Sequence, residues 1–77
     1  MKIFLERGIY HLDLHGLKHK DVENEILDFI FQYQNKLPLI IICGNSNKMI
    51  HITSLALKKA DIGFSSPRYG IQRIEKV

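Results

Sequence analysis

The chain contains one cysteine, no tryptophan, two prolines and no long apolar run in its 77 residues. A single cysteine excludes an intramolecular disulfide, on which many small secreted folds depend. The longest nearly uninterrupted apolar run, from Leu37 to Cys43, has seven residues, whereas a membrane-spanning helix needs about 20. Near the N-terminus, Glu6 and Arg7 interrupt the apolar stretch before it reaches the roughly 7–15 residues of a secretory signal. We therefore expect a reduced, cytoplasmic protein with no membrane partner.

What is present indicates a folded protein. Ile, Leu, Val and Phe make up about 35% of the chain, well above the roughly 20% below which chains tend to stay disordered. The length allows one domain, so we predict a single domain over residues 1–77 with its core at about 9–77. The net charge of +3, from 11 basic and 8 acidic residues, favours polyanionic partners only mildly.

The first half of the chain has the pattern of a β-α-β unit. Alternating apolar and polar residues predict a strand from Ile9 to Leu14. A helix from about Lys20 to Gln34 follows from an apolar stripe, formed by Val22, Ile26, Phe29, Ile30 and Tyr33. The next strand, Leu39 to Cys43, lacks alternation, which is typical of a central strand that is covered on both faces or nearly buried. The intervening residues are numerous enough for a parallel crossover.

The second half adds a helix and a hairpin. A helix is predicted from about Met49 to Ala60, and the residues expected to face inward are Met49, Ile52, Leu55 and Ala56. Strands at Gly63–Ser66 and Ile71–Lys76 flank a turn at residues 67–70 that contains proline and glycine. The predicted order is β-α-β-α-β-β. This order indicates an α/β (α+β) two-layer sandwich, with two helices on one face of a mixed four-stranded sheet.

The connections that follow the two parallel strands are the first candidate site. In a right-handed β-α-β unit both strands end at the same edge of the sheet, where ligands bind. That edge would bring His15-Gly16 close to the polar loop of residues 44–48. The loop opens a helix, and free backbone N–H groups and the helix dipole suit a phosphate there. The candidate phosphate-binding residues are Gly44, Asn45, Ser46, Asn47 and Lys48. Ser46 or Asn47 is the expected cap, and a helix cap without a ligand is the alternative; the spacing does not match a P-loop.

Basic residues lie beside this candidate site. Lys18, His19 and Lys20 come at the start of the first helix, where the dipole disfavours cations by ~0.3–1 kcal/mol each. A bound anion would reverse that penalty, and solvated lysines are the alternative. On the last turn, Arg68 and Tyr69 could supply a cation and a surface on which a base stacks. The sequence leaves open whether this turn reaches the same edge.

Asp13 and His15 are the candidate catalytic residues. They lie two residues apart, about 6.7 Å along a strand, so the carboxylate can orient the imidazole or both can reach one substrate. An ordinary polar pair is the alternative. Together with His11 they could form a metal triad, although no recognisable fourth ligand exists; no cofactor is predicted, and a divalent metal ion is left open. Cys43 is expected to be a small core residue rather than a nucleophile.

Two sequence motifs carry a family resemblance. The run LDLHGL at residues 12–17 and the run LIIICGNSNKM at residues 39–49 resemble the Smr (small MutS-related) domain. The resemblance extends from about residue 10 to residue 77 and includes Gly70. Asp13 and His15 occupy the family's LDLH positions, while Gly44 and Ser46 occupy its Gly-x-Gly positions. Family members usually carry His or Thr where this chain has Cys43, and Gly where it has Ser46.

The resemblance implies both a fold and a function. The implied fold is the β-α-β-α-β-β sandwich, similar to the C-terminal domain of bacterial translation initiation factor three. The implied function is that of DNA-nicking nucleases and of endoribonucleases that cut messenger RNA at stalled ribosomes. Our hypothesis is therefore an endonuclease that acts on nucleic acid, RNA more than DNA. The alternatives are a non-catalytic module that binds nucleic acid or the ribosome, and a protein-interaction domain that uses the acidic face of the first helix.

The departures from the family motif bear on catalysis more than on binding. A backbone phosphate cradle tolerates Ser46 in place of glycine better than a catalytic histidine tolerates replacement by Cys43. The family's usual Thr or Ser cap before the first helix is also replaced, by Lys18. Oligomeric state is left open by these residues.

Overall fold

The computed structural model describes residues 2–77 and shows two helices and a five-stranded mixed sheet. In chain order the elements are β1 (Ile3–Glu6), β2 (Ile9–Asp13), α1 (His19–Gln32), a 3₁₀ turn (Gln34–Lys36), β3 (Leu39–Ile42), α2 (Asn47–Lys59), β4 (Gly63–Arg68) and β5 (Ile71–Lys76). The strand order is β1-β2-β3-β5-β4. Strands β2 and β3 are parallel, and the other neighbours are antiparallel. The predicted class of two helices with a mixed sheet is confirmed.

The predicted number of strands is wrong, because β1 adds a fifth strand ahead of the expected core at residue 9. This strand forms a tight hairpin with β2, in which Glu6 pairs with Ile9. The two turn residues, Arg7 and Gly8, both have positive φ, of 52° and 79°, as the common two-residue hairpin turn requires. The sequence carries a signal for this hairpin, because two apolar runs are separated by the two residues Arg7 and Gly8, of which the second is glycine.

Both helices pack on one face of the sheet. The stripe predicted for α1 is confirmed, since Val22, Ile26, Phe29 and Ile30 are buried in the core. In α2 the prediction is partly wrong, because Leu55 is 52% exposed while Thr53 and Leu57 are buried. Thr53 is polar, yet it is fully buried, and its hydroxyl accepts a hydrogen bond from the Cys43 thiol inside the core. Within residues 2–77, neither helix has the length and apolar character needed to cross a bilayer.

Strand β3 lies in the centre of the sheet, as predicted, but only one of its faces is covered. Leu39 and Ile41 are fully buried beneath the helices, whereas Ile40 and Ile42 on the opposite face are half-buried. Burial therefore alternates along β3, although its residues are all apolar and show no alternation of apolar and polar types. Of the two alternatives for this strand, cover on both faces is wrong, because both helices pack on the same side of the sheet, as predicted, and leave the other side uncovered.

Candidate functional site

Three segments of the chain meet where β2 and β3 end. The backbone N–H of Leu14 donates to the carbonyl oxygen of Ile42 at 3.0 Å, and the N–H of Cys43 donates to the carbonyl oxygen of Gly70 at 2.7 Å. These bonds join the β2–α1 loop, the β3–α2 loop and the β4–β5 turn into one surface, which we call the C-terminal edge. Because β2 and β3 are parallel, the loops that begin at residues 14 and 43 leave the same edge of the sheet, as predicted. The β4–β5 turn also reaches this edge.

Asp13 holds the loop that carries His15. Its Oδ1 accepts a hydrogen bond from the backbone N–H of His15 at 2.9 Å. The next residue, Gly16, has a φ of 78° and reverses the chain toward α1. The carboxylate thus positions His15 through the main chain, while the imidazole of His15 is exposed to solvent. This arrangement can present a ring nitrogen to a large substrate.

The N-terminus of α2 has unsatisfied donors beside a cation. Ser46 is the N-cap, and its Oγ accepts a hydrogen bond from the N–H of Met49 at 3.1 Å. Of the two residues predicted as the cap, Ser46 and Asn47, the structure thus shows Ser46 in this role. The N–H groups of Asn47 and Lys48 belong to the first turn, where no intrahelical acceptor exists. The Lys48 side chain is exposed at the same place. Together with the helix dipole, these groups suit an anion.

The β4–β5 turn is attached to the beginning of α2. The Tyr69 hydroxyl donates to Oδ1 of Asn47, and the Tyr69 ring is 61% exposed. Gly70 lies directly against the β3–α2 loop, because a Cβ at this position would be 2.3 Å from the carbonyl oxygen of Gly44. The structure therefore places an exposed aromatic ring next to the predicted phosphate-binding loop, which the sequence left open.

The basic residues divide between the two faces of the molecule. Lys18 is the N-cap residue of α1 and makes no side-chain cap; like His19 and Lys20 it is exposed at the end of the β2–α1 loop. Arg68, in contrast, is the last residue of β4 and lines a hollow on the uncovered side of the sheet with Phe4. Because β4 extends to Arg68, the turn comprises only residues 69–70 instead of the predicted residues 67–70. Arg68 thus lies apart from the α2 N-terminus.

The alternative metal triad does not assemble. The Nδ1 of His11 lies 2.8 Å from the carbonyl oxygen of Ile9, and its ring stacks on Phe4 with centroids 4.9 Å apart. The Asp13 carboxylate is engaged with the backbone of His15. In the part of the chain that the structure describes, no three His, Cys, Asp or Glu side chains are grouped as metal ligands would be.

Cys43 is a core residue, as predicted. Its side chain is buried, and its thiol donates to the Thr53 hydroxyl at 3.5 Å. Burial raises the pKa of the Cys43 thiol above its ordinary value and outweighs the opposite effect of the hydrogen bond with Thr53. Both the burial and the raised pKa disfavour the thiolate form that a nucleophilic cysteine requires. Sequence reasoning missed Thr53 because a threonine inside an apolar stripe gives no sign of its buried partner.

The C-terminal edge thus combines an exposed imidazole, a helix N-terminus with a lysine, and an exposed aromatic ring. Comparison of the chain with family models, with curated proteins and with solved structures found no match. The resemblance to the Smr domain remains a prediction carried by its two motifs, and the function has to be argued from the geometry of this edge.

Proposed function

We propose that this protein binds nucleic acid at the C-terminal edge and cleaves it as an endonuclease, with RNA as the preferred substrate. The observation that carries the proposal is the meeting of three segments there, joined by the Leu14–Ile42 and Cys43–Gly70 backbone bonds. At this edge a single phosphodiester group can contact a general base (His15), the backbone hydrogen-bond donors of the α2 N-terminus and the cationic side chain of Lys48. The exposed ring of Tyr69 offers a surface for a neighbouring nucleobase.

His15 is the proposed general base. Its exposed imidazole can take a proton from the 2′-hydroxyl of RNA or from a water molecule, because a neutral imidazole ring has one nitrogen that accepts a proton. RNA is preferred in this proposal because its own 2′-hydroxyl supplies the nucleophile next to the scissile phosphate. The 2′-oxygen bonds to phosphorus as the bond from phosphorus to the 5′-oxygen breaks, and the departing 5′-oxygen takes a proton from water. Asp13 is a positioning residue that acts through the backbone amide of His15.

The N-terminus of α2 is the proposed phosphate site. The N–H groups of Asn47 and Lys48 and the Lys48 ammonium group would stabilise the negative charge that develops on the phosphate during cleavage. The exposed cations Lys18 and Lys20, at the start of α1, extend the positive surface along the same edge. Binding should therefore weaken as salt concentration rises.

A second candidate function, binding without cleavage, has its own support. The Asp13 carboxylate bonds to the main chain of His15 and not to the ring, so the imidazole lacks the carboxylate partner that would fix its tautomer. In addition, the Ser46 cap occupies the Met49 amide, which leaves fewer donors for the phosphate. This arrangement would still allow the protein to dock on RNA or on a ribosome.

Cleavage assays distinguish the two functions. Wild-type protein and the Asp13→Ala/His15→Ala double variant would be incubated with end-labelled structured RNA and with supercoiled DNA, in Mg²⁺ and in EDTA. Products with the wild type alone support the endonuclease. A salt-dependent mobility shift without products supports the binding module, and the absence of both contradicts the proposal.

Two substitutions at Ser46 test the phosphate site. Ser46→Ala should destabilise the fold by about 0.5–2 kcal/mol, because the Met49 amide loses its cap. Ser46→Asp keeps a good cap and so should keep the stability, but its negative charge should weaken RNA binding. Urea denaturation and fluorescence anisotropy with labelled RNA measure the two effects. Unchanged affinity in Ser46→Asp would mean that the phosphate binds elsewhere.

A further inference from the structure

Strand β1 forms one end of the sheet, so one of its two edges has no neighbouring strand. On its other edge, the N–H of Asp13 in β2 donates to the carbonyl oxygen of Lys2 at 2.7 Å. In an antiparallel ladder every second residue makes such bonds, so the backbone groups of Ile3 and Leu5 point away from β2. Within the described residues 2–77, no other segment bonds to these outward N–H and carbonyl groups. The edge is therefore open to a further strand.

The strand at the opposite end of the sheet, β4, has features that prevent such pairing. It contains Pro67, which has no N–H to donate, and its register with β5 is shifted at two places. Prolines and bulges are devices by which edge strands avoid pairing with another chain. Strand β1 has neither, because it contains no proline and pairs with β2 in an unbroken register. Of the two ends of the sheet, β1 is therefore the one suited to pair with another strand.

The residues along this edge are complementary to a second copy of themselves in antiparallel orientation. If Phe4 lies opposite Phe4 of the second copy, Lys2 lies opposite Glu6 and Ile3 lies opposite Leu5. Opposite charges, aliphatic pairs and aromatic pairs that face each other directly across two strands are each stabilising. A shift of the pairing by two residues in either direction would separate Lys2 from Glu6 and place one of the two charges opposite Phe4.

We propose that two copies of the chain associate through β1 to form a symmetric dimer, with the two β1 strands antiparallel and Phe4 at the centre. The twofold axis is perpendicular to the sheet, and both five-stranded sheets become one continuous sheet. The N–H of Ile3 donates to the carbonyl oxygen of Leu5 in the second copy, and the N–H of Leu5 donates to the carbonyl oxygen of Ile3. Each bond occurs twice, because the interface is isologous.

The side chains at this edge gain partners in the same arrangement. Leu5 is 57% exposed, and in the dimer it lies against Ile3 of the second copy on the helical side of the sheet. Lys2, Phe4 and Glu6 lie on the other side, since side chains alternate along a strand. Their pairs occupy the positions without backbone bonds, where opposing side chains are closer together. The dimer thus covers exposed apolar surface and pairs both charges.

This dimer goes beyond the proposed function and does not depend on it. The axis reverses the direction of the strands, so the two C-terminal edges lie at opposite ends of the joined sheet. The proposed phosphate site follows β3, and β2 separates β3 from β1. RNA binding and dimerisation can therefore be measured separately, and either can fail without the other.

Sedimentation equilibrium of the full chain tests the dimer. An interface of this small size is weak, so the wild type should be dimeric at high-micromolar concentration and dissociate on dilution. Leu5→Pro should be monomeric, because proline removes the outward N–H at a position where an edge strand tolerates it. The matched control is Leu5→Val, which keeps the N–H and an apolar side chain and should remain dimeric. A wild-type chain that is monomeric at all concentrations would overturn the proposal and leave this edge to a strand of a different protein.

Charge reversal keeps the test decisive if Leu5→Pro does not fold. Glu6→Lys should raise the dimer dissociation constant by roughly tenfold, since two attractive pairs become repulsive, and Lys2→Glu should act in the same way. An equimolar mixture of these two variants should dimerise again, because each lysine then faces a glutamate of the other chain. Asp28→Lys, at an exposed position of α1, makes the same change in net charge as Glu6→Lys and should leave the dissociation constant nearly unchanged. A mixture that stays monomeric would contradict the proposed register.

Amide hydrogen exchange identifies the surface that the dimer uses. The amides of Ile3 and Leu5 should exchange several-fold more slowly at concentrations where the dimer forms than in the dilute monomer. Exchange of these two amides that is slow at every concentration would mean that they are already bonded within one chain. Fast exchange in a sample that sediments as a dimer would place the interface elsewhere. Either result would overturn the proposal.

Discussion

Replacement of His15 by alanine is expected to lower the rate of RNA cleavage by about 10²–10⁴-fold, the usual contribution of a general base. RNA affinity should stay within a few-fold of wild type, because the phosphate contacts assigned to α2 do not involve this ring. Single-turnover cleavage of end-labelled RNA gives the rate, and anisotropy gives the affinity. Addition of free imidazole should restore part of the lost activity.

The control for His15→Ala is His51→Ala. His51 is exposed on the second turn of α2, so its loss removes an imidazole without changing the C-terminal edge. Cleavage should continue at the wild-type rate. If His15→Ala cleaves as fast as His51→Ala, the proposed general base is wrong.

The effect of replacing Asp13 on cleavage should depend on whether the new side chain keeps an oxygen that accepts the hydrogen bond. Asp13→Asn can still accept the hydrogen bond from the His15 amide, whereas Asp13→Ala cannot. If Asp13 acts by positioning the loop, Asp13→Asn should retain more activity than Asp13→Ala. Equal loss in both variants would instead indicate that the negative charge itself is required.

Gly70→Ala is expected to destabilise the fold by roughly 3–5 kcal/mol, the upper range for a single substitution. Two causes add. The φ of Gly70 is +82°, which costs an L-residue roughly 1–2 kcal/mol. The new Cβ would also lie 2.3 Å from the backbone oxygen of Gly44, and a backbone atom cannot move aside as a flexible side chain can. Urea unfolding followed by circular dichroism measures the loss.

Gly16→Ala separates the two causes. Its φ of +78° is similar, but a Cβ there meets nothing within 4 Å. It should therefore cost only the roughly 1–2 kcal/mol of the left-handed conformation. Similar losses for the two variants would show that the β4–β5 turn is not held by close packing against Gly44. A larger loss for Gly70→Ala, with weaker RNA binding, would confirm that this contact keeps Tyr69 at the C-terminal edge.

Much of the architecture was predictable because local signals agree with it. The apolar stripe of α1 identified its buried face, and the long connection between β2 and β3 implied a parallel crossover. The parallel pair then required both loops to share an edge. Residue type predicted Ser46 or Asn47 as the cap of α2, and the structure shows that the cap is Ser46. Each of these signals lies within one element or one connection of the chain.

Other features needed contacts between distant residues. Strand β1 is short and weakly patterned, and it becomes a strand by pairing with β2 across the Arg7-Gly8 turn. Nothing in the sequence pattern indicates that Thr53 is buried, and its contact with the Cys43 thiol in the folded chain accounts for that burial. For Arg68, the register between β4 and β5 decides which face of the sheet it occupies.

The sequence by itself determined the types of the main elements, the parallel β-α-β unit and the edge at which Asp13, His15 and the 44–48 loop come together. Periodicity, capping and crossover length suffice for this, because each acts within a helix, a strand or one connection. Only the tertiary structure decided that Tyr69 reaches Asn47, 22 residues away, and that Arg68 lies on the uncovered face of the sheet. Those outcomes depend on how the layers pack, which local sequence preferences do not encode.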